Sequence, residues 1–164
     1  MLFETINQEV VGVGGLHVSK DPEIVLKTHA LGSCVAVIAY DTVSHISGMM
    51  HVALPDSSID LEKGRVLPGY FADTGMAALL EALYKAGARR QNTWFKLAGG
   101  ANVLNTSTNF DIGRRNVLAL RKAFWKENLV IAAEDVGKNC SRSVSINAVT
   151  GEVVVSSQGV QWTL

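Results

Sequence analysis

The sequence predicts an α+β fold in which β-sheets, paired largely as hairpins, are layered with a small number of helices. Three observations predict it. Strand-like runs outnumber helical ones, several neighbouring runs are joined by short turn signals, and only two stretches repeat apolar residues at helical spacing. Regular alternation of strand and helix, the mark of a doubly wound parallel sheet, is missing. At 164 residues the chain fits one domain, residues 1–164, with no repeats or low-complexity linkers. A chain near that size buries roughly 68–70% of its unfolded surface, enough for a core without staples.

Taken in order, Glu9 to Val13 reads as an opening strand, and Ile24 to Thr28 as a second that leads into a Gly32-Ser33 bend. Val35 to Tyr40 is continuously apolar and partly β-branched, as in a strand buried on both faces. Asp41 to Ser44 turns the chain, and Ile46 to Leu54 returns beside it, carrying His51. Pro55 to Gly69 is long and rich in Asp, Ser, Gly and Lys, and is expected to be a mobile connection. From Tyr70, Met76, Leu79, Leu80 and Leu83 follow helical spacing, and Gly87 is placed to stop that helix. Asp73 fits either the first turn of this helix, where it favours the dipole, or the lining of a site.

Thr93 to Leu97 reads as a strand ending at Gly99-Gly100. No Lys-Ser/Thr follows those glycines, so a tight turn or close backbone packing suits them better than a phosphate loop. Asp111 is placed to cap a helix over Ile112 to Asn128, with Val117, Leu120, Phe124 and Trp125 inward. Arg114, Arg115, Arg121, Lys122 and Lys126 mostly decorate its outer face, as a solvated surface or one for an acidic partner. Leu129 to Glu134 is a strand. Arg142 to Ala148 and Glu152 to Ser156 alternate around Thr150-Gly151 as a hairpin.

Composition excludes several function classes. Lys plus Arg equals Asp plus Glu, at 15 each, so overall charge gives no sign of nucleic-acid or anionic-membrane binding. No apolar run approaches the roughly 20 residues that span a bilayer, so no membrane insertion is expected. The first residues lack the basic and apolar regions of a signal peptide. Two cysteines do not make a disulfide framework, and a reducing cytoplasm is the expected location. His17, His45 and Cys140 are not spaced as zinc ligands, and neither metal nor cofactor is expected.

The chemistry concentrates around Leu31-Gly32-Ser33-Cys34-Val35, with His51 seventeen residues after the cysteine and Thr28 six before it. A thiol becomes a useful nucleophile when an imidazole takes its proton and a third group fixes the ring. A hairpin joining the two strands can bring Cys34 and His51 near the same end of a sheet. Spacing alone leaves two readings of Cys34 open: a nucleophile, or a small buried hydrophobe as lone cysteines commonly are. Strand alternation turns His29 away from Thr28.

The chain also resembles a known family. Leu31 to Val35, His51 to Pro55, Tyr70 to Thr74, Lys96 to Ala101, Ile112 to Asn116, and Glu134 to Gly137 followed by Thr150 to Val153 match, in order, motifs of the CheD family of chemoreceptor glutamine deamidases. Each segment is short and weak alone; together they are specific. The resemblance implies a layered sandwich of mixed or antiparallel sheets with flanking helices, similar to the catalytic domain of cytotoxic necrotizing factor toxins. It also implies Cys34 as nucleophile, His51 as base, Thr28 as the third residue, and hydrolysis of glutamine side chains to glutamate with release of ammonia. The implied substrates are cytoplasmic helices of chemoreceptors. A CheC-type phosphatase is the implied partner, and a mainly adaptor role towards it is the alternative. Lys138 and Ser141 depart from the family's glycines in the loop that holds Cys140.

Overall fold

A computed structural model describes residues 7–105 and 110–164, which form two five-stranded sheets, three helices and short 3-10 turns. The first sheet runs in the order β1 (Asn7–Val10), β3 (Ile24–Leu31), β8 (Arg142–Asn147), β9 (Val153–Ser157) and β10 (Val160–Thr163). The second runs β2 (Leu16–Ser19), β5 (Ser47–Val52), β4 (Val35–Asp41), β6 (Thr93–Gly99) and β7 (Ile131–Val136). One pair in each sheet is parallel, β1 with β3 and β6 with β7, and the other pairs are antiparallel. The expected α+β architecture of mixed sheets with flanking helices is therefore present.

Strand β4 explains the layering. It is buried at every position, as its unbroken apolar run requires. Val35, Val37 and Ala39 face the helices α2 (Ala72–Ala86) and α3 (Ile112–Lys126), meeting Leu79, Leu83, Leu120 and Phe124. The opposite face, Ala36, Ile38 and Tyr40, packs on Leu26, Val144, Ile146 and Val155 of the first sheet. Helices, second sheet and first sheet thus stack as three layers around two apolar seams.

Local chemistry sets the element ends. Gly87 stops α2 in the left-handed region, at φ 107°, as the sequence predicts. Asp111 caps α3 by accepting from the Arg114 N–H at 3.0 Å. Val117, Leu120 and Phe124 are inward as expected, but Trp125 is 78% exposed. It follows Phe124 by about 100° around the helix, which turns it to solvent.

The segment from Pro55 to Gly69 is more regular than its composition predicts. It is not an open excursion: it contains a 3-10 turn at Ser57–Ile59, then α1 (Leu61–Val66) and the start of a second 3-10 turn at Pro68–Tyr70. Its aspartates are caps. Asp56 accepts from Ser58 N at 2.8 Å and Asp60 from Lys63 N at 3.0 Å. Asp73, in the first turn of α2, accepts from the Ser57 N–H at 3.0 Å and its hydroxyl at 2.7 Å, which fastens the segment to the helix. Two strands escaped the sequence reading, β2 and β10. Each has four residues, too few to establish a period.

Candidate active site

Three elements deliver the three predicted residues to one end of the sandwich. Strand β5 pairs with β4 so that His51 lies opposite Ala36 and Val52 opposite Val35. Cys34 immediately precedes β4, so it is a diagonal neighbour of His51, the relationship that puts two side chains of one face within reach of each other. Alternation places Cys34 on the face of Ala36, and His51 on the face of Met49, both of which look into the seam between the sheets. Thr28 comes from the facing sheet. After it, β3 carries a bulge: Thr28 pairs with Val144 and Leu31 with Arg142, so two residues of β3 oppose one of β8. Ala30 takes up the irregularity at φ 55°, Thr28 and Leu31 both point inward, and His29 is left exposed, away from Thr28 as expected.

The hydrogen bonds fix the imidazole tautomer. Thr28 Oγ1 lies 2.6 Å from the Val11 carbonyl and 2.7 Å from His51 Nδ1. A hydroxyl has one proton, and a carbonyl only accepts, so that proton goes to Val11. Nδ1 must then be the donor to Thr28, which leaves Nε2 with a free lone pair. Thr28 and His51 are 0% and 1% exposed, and Nε2 is buried with no hydrogen-bond partner in the structure. A bare, basic nitrogen is therefore held in a fixed ring beside the sulfur strand. The Val11–Gly15 segment holds the backbone of the same residue: the Gly14 N–H donates to the His51 carbonyl at 2.8 Å, and the His51 N–H to the Gly15 carbonyl at 3.0 Å.

Burial favours the neutral form of both Cys34 and His51. It pushes the Cys34 thiol up from its ordinary value, against a smaller lowering by the residue's own backbone N–H. It pushes His51 down, against a smaller raising by the Val11 carbonyl. Both shifts oppose a preformed thiolate–imidazolium pair. Cys34 is nevertheless only half-buried and free of any disulfide, as is Cys140. A cavity of about 190 Å³ abuts the preceding residue, lined by Ser33, Ala101, Val103, Leu104, Phe110 and Gly113 among others.

Backbone contacts hold the cysteine loop from β6. Gly99 and Gly100 have φ of 114° and 66°, and a Cβ on Gly99 would stand 2.3 Å from the Cys34 carbonyl oxygen. Gly100 N–H donates to that oxygen and Ala101 N–H to Gly32 O, each at 2.8 Å. This close approach is the packing reading of the two glycines.

A family model described as CheD chemotactic sensory transduction matches residues 53–157. The chain is 46% identical to the probable chemoreceptor glutamine deamidase CheD of Syntrophotalea carbinolica over 158 residues, 94% of this chain and 98% of that protein. It is 43% identical to the probable chemoreceptor glutamine deamidase CheD 1 of Syntrophus aciditrophicus, covering 92% and 94%. The chemoreceptor glutamine deamidase CheD of Thermotoga maritima is 40% identical, covering 93% of each. The chain belongs to the CheD family.

Two features of this CheD chain lay beyond the sequence reading. One is the Val11 carbonyl that sets the proton order; a backbone acceptor leaves no trace in residue type. The other is Arg142, 2% exposed, whose Nε donates to Asp135 at 3.0 Å and whose Nη2 donates to the Gly137 carbonyl at 2.9 Å. It ties β8 of the first sheet to the end of β7 in the second. A signal existed: Arg142 shares the inward register of Val144 and Ile146, and a buried cation needs a carboxylate. The remaining histidines stand apart. His17 lies 4.0 Å from Glu9, and His45 bonds Tyr40 at 2.7 Å. Among the described residues no group of three or more His, Cys, Asp or Glu could hold a metal, and no helix is long and apolar enough to cross a membrane.

Proposed function

We propose that this CheD chain is a cytoplasmic protein-glutamine deamidase that hydrolyses glutamine side chains of chemoreceptor helices, with Cys34 as nucleophile, His51 as general base and acid, and Thr28 as the group that orients the ring. The single observation that carries this reading is the Thr28–His51 hydrogen bond, because it leaves Nε2 unprotonated, buried and without a partner. The relatives' names supply the substrate class.

The starting pair is neutral. As Cys34 Sγ attacks the carboxamide carbon, His51 Nε2 takes the thiol proton, so the thiolate exists only in the course of attack. A tetrahedral oxyanion results, and the Cys34 backbone N–H is its donor; loss of such a donor typically costs about 10²–10³ in rate. The imidazolium gives its proton to the departing nitrogen, ammonia leaves, and a thioester remains on Cys34. Nε2 then deprotonates water, which attacks the thioester; the imidazolium returns a proton to sulfur, and glutamate is released. Thr28 is a neutral hydroxyl and offsets imidazolium charge less than a carboxylate would. Its contribution is orientation.

Mass spectrometry of receptor cytoplasmic fragments incubated with wild type and with Cys34→Ala tests the reading. Glutamine-to-glutamate conversion at defined positions is expected with wild type and not with Cys34→Ala. Equal conversion by both proteins removes Cys34 from the mechanism. A CheC-type phosphatase partner belongs to this proposal as a separate binding role, and co-purification that survives Cys34→Ala is its expected signature.

A further inference from the structure

Asn116 lies in the second turn of α3 and is fully buried. Its side-chain nitrogen donates to the Ser33 carbonyl at 2.9 Å and to the Ala53 carbonyl at 3.0 Å. Both partners only accept, so the amide orientation is fixed and both N–H protons are used. The cost is visible on its other side: Oδ1 is buried with no hydrogen-bond partner. Such an orphan ordinarily destabilises the folded state. The two tethered carbonyls bracket the site. Ser33 immediately precedes Cys34, and Ala53 follows His51 by two residues.

The Ser33 carbonyl belongs to the same peptide unit as the Cys34 N–H. That unit is planar and trans, so its C=O and N–H point in opposite directions, and anchoring one aims the other. We propose that Asn116 is a positioning residue for the oxyanion donor: by holding the Ser33 carbonyl it directs the Cys34 N–H towards the developing oxyanion, and through Ala53 it keeps that peptide in register with the His51 strand. The helix carrying Asn116 is seated to make this firm. A Cβ on Gly113 would come within 2.4 Å of the Ala101 oxygen, and one on Gly100 within 2.5 Å of Val117 Cγ2. At Gly113 the backbone of α3 lies directly against the Gly100–Ala101 turn that binds the Cys34 carbonyl, and Val117 packs on Gly100 beside it. Asn is suited where its isosteres are not. Asp would set a carboxylate against two carbonyls, and Leu fills the space without a donor.

The proposal rests on Cys34 being the nucleophile, so its test compares two reactions of that sulfur. Acylation by p-nitrophenyl acetate passes through a tetrahedral oxyanion: Sγ bonds to the acyl carbon and p-nitrophenolate leaves. Alkylation by iodoacetamide displaces iodide at carbon and forms no oxyanion. In Asn116→Leu, acylation of Cys34 is expected to slow at least tenfold while alkylation stays within about twofold of wild type, since loss of one oxyanion donor typically costs about 10²–10³. In the deamidation assay kcat falls and KM holds. Acylation and alkylation falling together, or neither falling, overturns the proposal. If Asn116→Leu does not fold, Asn116→Asp keeps the shape of the side chain and is measured the same way. Wild type that is alkylated but never acylated at Cys34 overturns the nucleophile reading itself, an outcome distinct from any difference between variant and wild type.

Discussion

Thr28→Val gives the most direct measure of the tautomer lock. Valine keeps the shape of threonine and the β-branched strand preference, and removes one oxygen. Two hydrogen bonds disappear, at 2.6 and 2.7 Å, and two buried groups lose their partner: the Val11 carbonyl and the His51 Nδ1–H. An unpartnered buried group costs about 1–3 kcal/mol. The two orphans are complementary and recover part of this if the ring shifts, so a net loss near ~2 kcal/mol is expected. For a chain of this length each kcal/mol lowers Tm by roughly 2–4 °C, so melting should fall by about 4–8 °C. Catalysis suffers separately, because a ring that shifts towards Val11 moves Nε2 off the sulfur. A penalty of ~1.4 kcal/mol in the barrier is tenfold in kcat. Calorimetry and ammonia release per folded molecule read the two effects, with Thr28→Ser as the control that keeps the hydroxyl. Wild-type melting and turnover in Thr28→Val would refute the lock. Lowered melting with unchanged kcat would leave Thr28 as a structural residue alone.

Two further outcomes follow from the same geometry. Because burial holds His51 below its ordinary ~6.5, the acid limb of kcat/KM should fall through an inflection below that value, and an inflection at or above it contradicts the neutral resting pair. Stability moves in the same direction: below ~6.5 the unfolded chain takes up a proton that folded His51 refuses, so this contribution is lost as pH falls towards the folded pKa. Gly99→Ala should displace the cysteine loop, since the new Cβ meets the Cys34 carbonyl oxygen at 2.3 Å on a backbone of φ 114°; lowered melting with loss of Cys34 acylation is expected, and unchanged values of both would contradict the packing described.

Legibility in the sequence tracked how local the cause was. The unbroken run Val35 to Tyr40, the spacing of Met76 to Leu83 and the Thr150-Gly151 turn each act within one element, and each element formed as read. Trp125 failed because one helical step separates a buried from a solvent-facing position, and only the contacts of α3 decide between them. Pro55 to Gly69 failed for a different reason. Its Asp and Ser residues look like loop composition, yet they act as helix caps, and Ser57 is satisfied by Asp73 sixteen residues later. The site was half legible. Spacing offered Cys34, His51 and Thr28 as a candidate trio and the family resemblance implied their roles; the Val11 carbonyl, the Asn116 tether and the Arg142–Asp135 pair require the assembled sandwich.

That dependence bears on how this fold fixes the ring of His51. His51 stands on a sheet whose other face is covered by helices, while its orienting hydroxyl comes from the second sheet, and the hydroxyl's own proton is claimed by the segment that follows β1. No single element holds the lock. The distance from Nδ1 to Thr28 depends on the separation of the two sheets, which Leu26, Ile38, Met49 and Val144 set by packing between the layers. Close-packed interiors resist change in that separation, so the same contacts that stabilise the sandwich also fix the tautomer. Arg142 and Asp135 join the two sheets at the end of β7, where hydrogen bonds from Gly137 and Arg142 reach the carbonyl of Gly99 beneath the cysteine loop. Stability of the layer contact and basicity of Nε2 are on this account one property of the molecule, and the bulge after Thr28 is the local irregularity that lets both a hydroxyl and Leu31 point into the seam.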